Sequence, residues 1–226
     1  MVTNGVAAAA VAAPAGGPSA LGLAGSALYG AYGLRLTSFL LRRQSDAAYK
    51  PKWDSVQEKS DKMGPCGRLG VVTFVSLTQA AYALPITNAM KSSPAPDSGG
   101  GRAARVGWVG VGLAAAGLLL EHLADEEKLA AKRADPSAPV TTGLFSYCRH
   151  PNYSGEILFH LGICGLAAQG DSLVAIGLGM LSPLMLIGVM FGAAKRLDKE
   201  GAEKYAADEK WQEWAERTPS LWPRLS

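Results

Sequence analysis

Lysine and arginine are missing from the first 34 positions of the chain. That absence excludes the basic start of a secretory signal and the Arg-rich character of a mitochondrial transit peptide, so no cleavable leader is expected. Residues 1–17 are mostly Ala, Gly and Pro with little bulk, which predicts a flexible N-terminal tail. Cysteine is scarce too. Cys66, Cys148 and Cys164 are odd in number, far apart and outside any CxxC spacing, so neither a disulfide framework nor a zinc site follows. The three histidines, His122, His150 and His160, lack metal-ligand spacing, and no Ser stands in a GxSxG elbow, so the pattern implies no metal centre and no hydrolase. Charge is thin: 18% of residues, a net of +3 and dispersed basic positions give no nucleic-acid surface.

What is abundant is apolar sequence, 48% of the chain, gathered into windows free of charge. Windows near 19–41, 69–90, 104–124 and 172–194 each reach the ~20 residues that cross a bilayer, and a fifth, Ile157–Gln169, falls short of that length. These predict an all-α polytopic membrane bundle of about five spans, with a tail (1–17), a transmembrane bundle (18–194) and an amphipathic cytoplasm-side tail (195–226). The loops 42–68 and 125–156 and the C-terminal tail carry seven, four and seven Lys or Arg, against three on the opposite side, Lys91, Arg102 and Arg105. Positive charge gathers on the cytoplasmic side, so five spans place the N-terminus away from it and the C-terminus on it, in the endoplasmic reticulum or another organelle membrane. Gly22/Ser26/Gly30 and Gly188/Gly192 predict close helix approach. Gly107, Gly110, Gly112 and Gly117 have the wrong spacing for a dinucleotide loop and read as packing as well.

Polar side chains crowd into Gly143-Leu144-Phe145-Ser146-Tyr147-Cys148-Arg149-His150-Pro151-Asn152-Tyr153-Ser154-Gly155-Glu156, directly before the short span. Pro151 suits a first helical turn, whose free amides together with Arg149 and His150 can face an anion. Asn152, Tyr153 and Glu156 would add directional hydrogen bonds around a cavity. The alternative is an interfacial cap, with Arg149 on lipid phosphate and Tyr153 in the aromatic belt. Glu121, Asp125, Lys128 and Lys132 follow spacings of 4, 3 and 4, a helical stripe that either supports itself by ion pairs or addresses a ligand. Glu121 lies inside an apolar window, where an ionisable group is costly. Leu197, Gly201, Tyr205, Trp211 and Trp214 recur at helical intervals, predicting an amphipathic helix anchored by Trp211, Trp214 and Trp222, or alternatively a lid over the polar segment.

The stretch Glu121–Glu156, above all GLFSYCRHPNYSGE, resembles the C-terminal region of steroid 5α-reductase-like membrane proteins, within a superfamily that also holds isoprenylcysteine methyltransferases. Tyr32-Gly33-Leu34-Arg35-Leu36, Ala124-Asp125 and Arg217-Thr218-Pro219-Ser220-Leu221-Trp222-Pro223 extend the likeness over most of the chain beyond residue 28. The resemblance implies NADPH bound near Glu121, Asp125, Lys132, Asn152, Tyr153, Glu156, Arg196 and Tyr205, and the anion-facing Arg149 and His150 of the polar segment complete the expected cofactor-binding set. It further implies hydride delivery to an activated double bond of an apolar, lipid or sterol-like substrate. The methyltransferases share the Arg-His-Pro-x-Tyr-x-Gly core and bind S-adenosylmethionine, but their paired glutamates are interrupted here by Asp198-Lys199-Glu200. Relatives usually begin with about two further spans. The steroid reductases carry an early-span Glu that polarises the substrate; Gln79 matches its neighbour, Ala80 occupies its place, and Tyr82 is the nearest phenol. Gln79 and Tyr82 are therefore the weak catalytic candidates. A third reading is a structural subunit that keeps the scaffold and partners other subunits of a membrane complex.

Overall fold

A computed structural model describes residues 17–92 and 100–223; the N-terminal tail expected over 1–17 lies, but for its last residue, outside them. The described residues form eight α-helices and no strand. In chain order these are α1 (Ala20–Gln44), α2 (Lys50–Asp61), α3 (Pro65–Ala81), α4 (Ala83–Lys91), α5 (Gly100–Ala134), α6 (Pro151–Ala167), α7 (Leu173–Lys204) and α8 (Glu209–Arg217). Among the described residues, three stretches are long and apolar enough to cross a membrane: Pro65–Lys91, Gly101–Ala134 and Leu173–Lys204. The first expected span corresponds to α1 and the short one to α6, which has 17 residues.

Several elements differ from the apolar windows for local reasons. The window at 69–90 is broken into α3 and α4 at Tyr82, because Pro85 has no N–H to offer the carbonyl of Ala81 and its ring crowds that turn. α6 begins at Pro151, so Asn152–Glu156 form its first turns instead of a loop ahead of it. α5 runs 35 residues and α7 runs 32, each carrying its apolar window onward through a charged, helix-favouring stretch. The amphipathic repeat in the tail is split: Leu197 and Gly201 prolong α7, and Asp208 caps a separate α8 by accepting from the Trp211 N–H at 3.1 Å.

The contacts sort the described residues into two compact units. One holds the residues up to Val111 together with Ile163–Pro183; the other holds Gly112–Gly162 and Leu184 onward. In the first unit, Ser19 caps α1 by accepting from Gly22 N at 3.0 Å, and donates to the Ala89 carbonyl of α4 at 2.6 Å. Gly22 faces Met90 so closely that a Cβ there would lie 2.7 Å from the Met90 Cα. Asn88 is buried and donates to the carbonyls of Ala167 and Ala175, at 2.9 and 3.0 Å, tying α4 to the end of α6 and the start of α7. Gly110 and Gly165 approach similarly, with a Cβ on Gly165 meeting the Gly110 Cα at 3.0 Å.

In the second unit α5 and α6 touch backbone to backbone. A Cβ on Gly155 would lie 2.5 Å from the Glu121 nitrogen and 2.7 Å from the Gly117 oxygen. The expected packing role of Gly117 is met here, and that of Gly22 in the first unit, whereas Gly30, Gly112, Gly188 and Gly192 have nothing within 4 Å. Those four are corrections: their spacing allows close approach, but no helix among the described residues meets that side.

Two outcomes follow. Asn88→Ala leaves two helix-end carbonyls without their donor and lowers stability by about 1–3 kcal/mol, read as an earlier melt in detergent. Gly155→Ala overpacks the α5–α6 contact, costing about 1–3 kcal/mol in the same assay, while Gly192→Ala changes little because its surroundings are open.

Candidate functional site

The polar segment starts from a strained turn. Gly143 has φ +61°, a left-handed conformation that a side chain resists, and a Cβ there would also strike the Glu127 carboxylate at 2.6 Å. That carboxylate accepts the Leu144 N–H at 2.9 Å, joining the turn back to α5. The 3₁₀ turn Gly143–Ser146 then buries Phe145, over whose ring the Lys128 ammonium sits at 5.9 Å. Cys148 follows, buried with its Sγ 3.8 Å from Ser154 Oγ; burial pushes its thiol above the ordinary value.

Arg149 and His150 turn to one carboxylate. Asp198, near the end of α7, accepts from Arg149 Nη2 at 3.1 Å and the Ser220 hydroxyl at 2.7 Å, hydrogen-bonds the His150 ring nitrogen Nε2 at 2.8 Å, and forms an ion pair with Arg149, whose Nε lies 3.1 Å away. A second Arg149 nitrogen donates to the Ala215 carbonyl at 2.8 Å. The backbone amides of Arg149 and His150 donate to the carbonyls of Pro219 and Ser220 at 2.8 and 3.0 Å, and Ser154 donates to the Leu221 carbonyl. Leu221 packs with Ile157 and Ala194. Residues 214–221 are thus a strap fastened across the start of α6. Burial lowers the His150 pKa below its usual value, with help from the Lys128 and Arg149 charges; the nearby Asp198 opposes this and does not overcome it. His150 is therefore neutral in the folded protein near pH 7, and its ring stacks on Tyr153 with centroids 5.6 Å apart.

On the α5–α6 face the polar groups meet across the Gly117–Gly155 contact. Glu121 and Asp125 of α5 are buried, and Asn152 Nδ2 donates to Asp125 Oδ1 at 3.3 Å. The Asn152 Oδ1 is itself buried and has no hydrogen-bond donor. Further along α6, Glu156 Oε1 lies 3.8 Å from Nε2 of the fully buried His160. Glu121, Asp125, Asn152 and Glu156 therefore bring three carboxyl groups and a carboxamide into one unit of the fold.

The other expected site residues are engaged in different ways. Lys132 donates to the carbonyls of Pro136 and Ala138 at 3.1 and 2.6 Å, which leaves one N–H and holds the turn after α5. Tyr205 donates to the Ser137 carbonyl of the same turn at 3.1 Å. Arg196 is exposed, 3.5 Å from Glu200. Gln79 and Tyr82 belong to the first unit, where Tyr82 is buried edge-on against Tyr29 at 5.6 Å. Trp214 is not a membrane anchor: it is buried and donates its indole N–H to the Phe145 carbonyl at 3.1 Å, because the strap carries it onto the polar segment. Trp211 stacks toward Tyr205 and Trp214 at 5.5 and 6.1 Å.

Sequence reasoning missed Asp198 and Ser220 as partners of Arg149 and His150. The available signal was an acid one helical turn beyond the last apolar window, on the same side as an unsatisfied Arg-His pair. The pairing spans 48 residues for His150, and no local periodicity encodes it.

The chain belongs to the family described as "Protein of unknown function (DUF1295)", whose model matches residues 7–218. It is also similar to the cobalt-zinc-cadmium resistance protein CzcN of Cupriavidus metallidurans, at 33% identity over 87 residues. That match covers 38% of this chain and 36% of the relative, so it spans only about a third of the relative's length. No solved structure matches the chain.

His150 sets a pH dependence. Above the usual histidine pKa of about 6.5 it is neutral whether folded or not and contributes nothing. Below it, the unfolded chain takes up a proton that the folded site resists, so stability falls as pH drops and levels off only below the depressed folded value. Melting temperature measured from pH 7.5 down to 5 should decline, and His150→Gln should flatten that slope. Asp198→Ala, which removes the carboxylate under three donors, should expose the amides of Arg149 and His150 to rapid hydrogen exchange while α3 and α4 keep their protection.

Proposed function

We propose that this member of the family is an integral membrane protein of the steroid-reductase-like class, binding NADPH beside the α5–α6 polar face and reducing an activated double bond of a lipid or sterol-like substrate. The C-terminal strap and the polar segment share the cytoplasmic side in this reading. The observation that supports it is the gathering of Glu121, Asp125, Asn152 and Glu156 beside a helix contact made for close packing. A buried acceptor without a donor is costly, and within this group Asn152 Oδ1 is such an acceptor.

The residues fit a dinucleotide in kind. The buried Asn152 oxygen is an acceptor awaiting a donor, which a carboxamide or ribose hydroxyl supplies. Glu121, Asp125 and Glu156 would accept further hydroxyl or amide hydrogens, and they would repel phosphate. Phosphate would be met by the remaining Lys132 N–H, by Arg196 and by Tyr153, while the Tyr205 hydroxyl gives its proton to the Ser137 carbonyl. Arg149 and His150 would act as wall and support, since Asp198 and the strap already engage them. NADPH, when bound, supplies the hydride. The chain's own contribution is to orient the cofactor, exclude water and hold the strap closed.

A second reading, a non-catalytic subunit of a membrane complex, draws on Ala80, which is exposed and stands where the resemblance expects an acid. Tyr82 is packed against Tyr29 and offers no free approach for a substrate carbonyl. The two readings part on turnover.

The test is titration of purified protein with NADPH, following tryptophan fluorescence. Trp211 and Trp214 belong to the same unit as the polar face, and quenching is expected. Asn152→Ala and Glu121→Gln should each weaken binding by roughly 5- to 150-fold, the equivalent of about 1–3 kcal/mol. A response to S-adenosylmethionine with silence toward NADPH would replace the reductase by a methyltransferase. Tight NADPH binding without oxidation in the presence of lipid extracts would favour the subunit.

A further inference from the structure

The segment between α1 and α3 carries an ordered pattern that the proposed site does not use. On the helical wheel of α2, Trp53 and Val56 fall on one side, extended by Met63 in the following turn, and Asp54, Glu58 and Asp61 fall on the other. Val56 is 47% exposed and its side is open, and Met63, 38% exposed, is only partly covered, by Gly67 of α3. Lys59 stands at the edge of the apolar face, where a long stem can lie on hydrocarbon with its ammonium at the headgroups.

The ends of α2 are fixed at the membrane level. At its end, three residues separate Asp61 from Pro65, the first residue of a stretch long enough to cross a bilayer. Arg68, in the first turn of α3, donates to the carbonyls of Ser60 at 3.1 Å and Asp61 at 3.4 Å, and its guanidinium lies 3.7 Å from the Asp61 carboxylate. At its start, the Trp53 indole donates to the Arg43 carbonyl at 3.4 Å, and the Arg43 guanidinium sits 4.3 Å above the Tyr49 ring. The helix is therefore held against the mouth of a candidate span. On the face away from the apolar residues, Glu58 is paired with Lys62 at 2.6 Å and Asp61 accepts from Gln57 at 3.2 Å. The carboxylates are thus kept to the water side, while the loop 42–68 carries seven basic residues.

We propose that α2 is an interfacial helix that docks on an anionic lipid leaflet through Trp53, Val56 and Met63, with Lys59 at the headgroups. The charge pattern selects the partner: the face away from the carboxylates is apolar and cation-edged, which complements negative headgroups and not a neutral or basic protein surface. A basic residue near such a leaflet is attracted within a Debye length, so the contact should strengthen with anionic lipid and weaken with salt.

The experiment uses the full chain with Cys66→Ser, carrying a nitroxide label at Val56→Cys or, on the opposite face, at Glu58→Cys, in nanodiscs of phosphatidylcholine with and without phosphatidylserine. Relaxation by oxygen, which concentrates in lipid, is compared with relaxation by a water-soluble nickel chelate. The label at 56 should favour oxygen and the label at 58 the chelate, with the gap widening in phosphatidylserine and Lys59→Glu cancelling that widening. Met63→Cys is the second reporter if the label at 56 disturbs folding. Equal access of the chelate to both faces, shielding of position 56 from both reagents, or indifference to phosphatidylserine would each overturn the proposal; shielding from both would mean that protein covers the face.

Discussion

The close contact between Gly117 and Gly155 is the constraint on which the candidate site depends. With no side chain on either, α5 and α6 meet at their backbones, and polar side chains of the two helices are brought near one another. Those side chains are Glu121 and Asp125 on α5, and Asn152 and Glu156 on α6. In apolar surroundings such groups interact more strongly than in water, so the crossing concentrates directional bonding in one place.

A second feature fixes the other side of α6. Asp198 sits where three donors from distant parts of the chain converge, and the backbone of Pro219–Leu221 runs over the start of α6. Two of these donors, Arg149 and His150, are the residues that a motif-based reading sends to a ligand. The geometry gives them to the protein itself, and the neutral state of His150 agrees with a partly desolvated hydrogen bond more than with an exposed cation. An anion arriving at this segment would meet an existing carboxylate. In the proposed NADPH reading, the phosphates would then go to Lys132 and Arg196, away from the first turn of α6.

Much of the helical architecture was legible because a membrane-length apolar window needs only composition to be seen. The windows located α1, the α3–α4 pair, α5, α6 and α7. Their ends were less legible: charged stretches such as Glu121–Arg133 and Lys195–Lys204 favour helix as strongly as the apolar parts and simply continue it. The break at Tyr82 needed attention to Pro85, a local rule that the hydropathy average hides. Within the site, the Glu121–Asp125 stripe and the Asn152–Glu156 turn could be read from helical spacing. Asp198, Ser220 and the burial of Trp214 could not, because they depend on a strap whose path is set by tertiary hydrogen bonds between residues far apart in the chain, from 22 positions for Ser220 and Asp198 to 69 for Trp214 and Phe145. The glycines show the same limit: Gly155 and Gly192 look alike in sequence, and only one has a neighbour.

Native mass spectrometry of the gently extracted chain tests the central claim, that the α5–α6 polar face receives a polar guest. The account predicts a dinucleotide-sized adduct that appears with NADPH and disappears in Asn152→Ala while the variant still folds. Unliganded masses at every concentration of NADPH and of S-adenosylmethionine, from protein whose strap is intact, would contradict it.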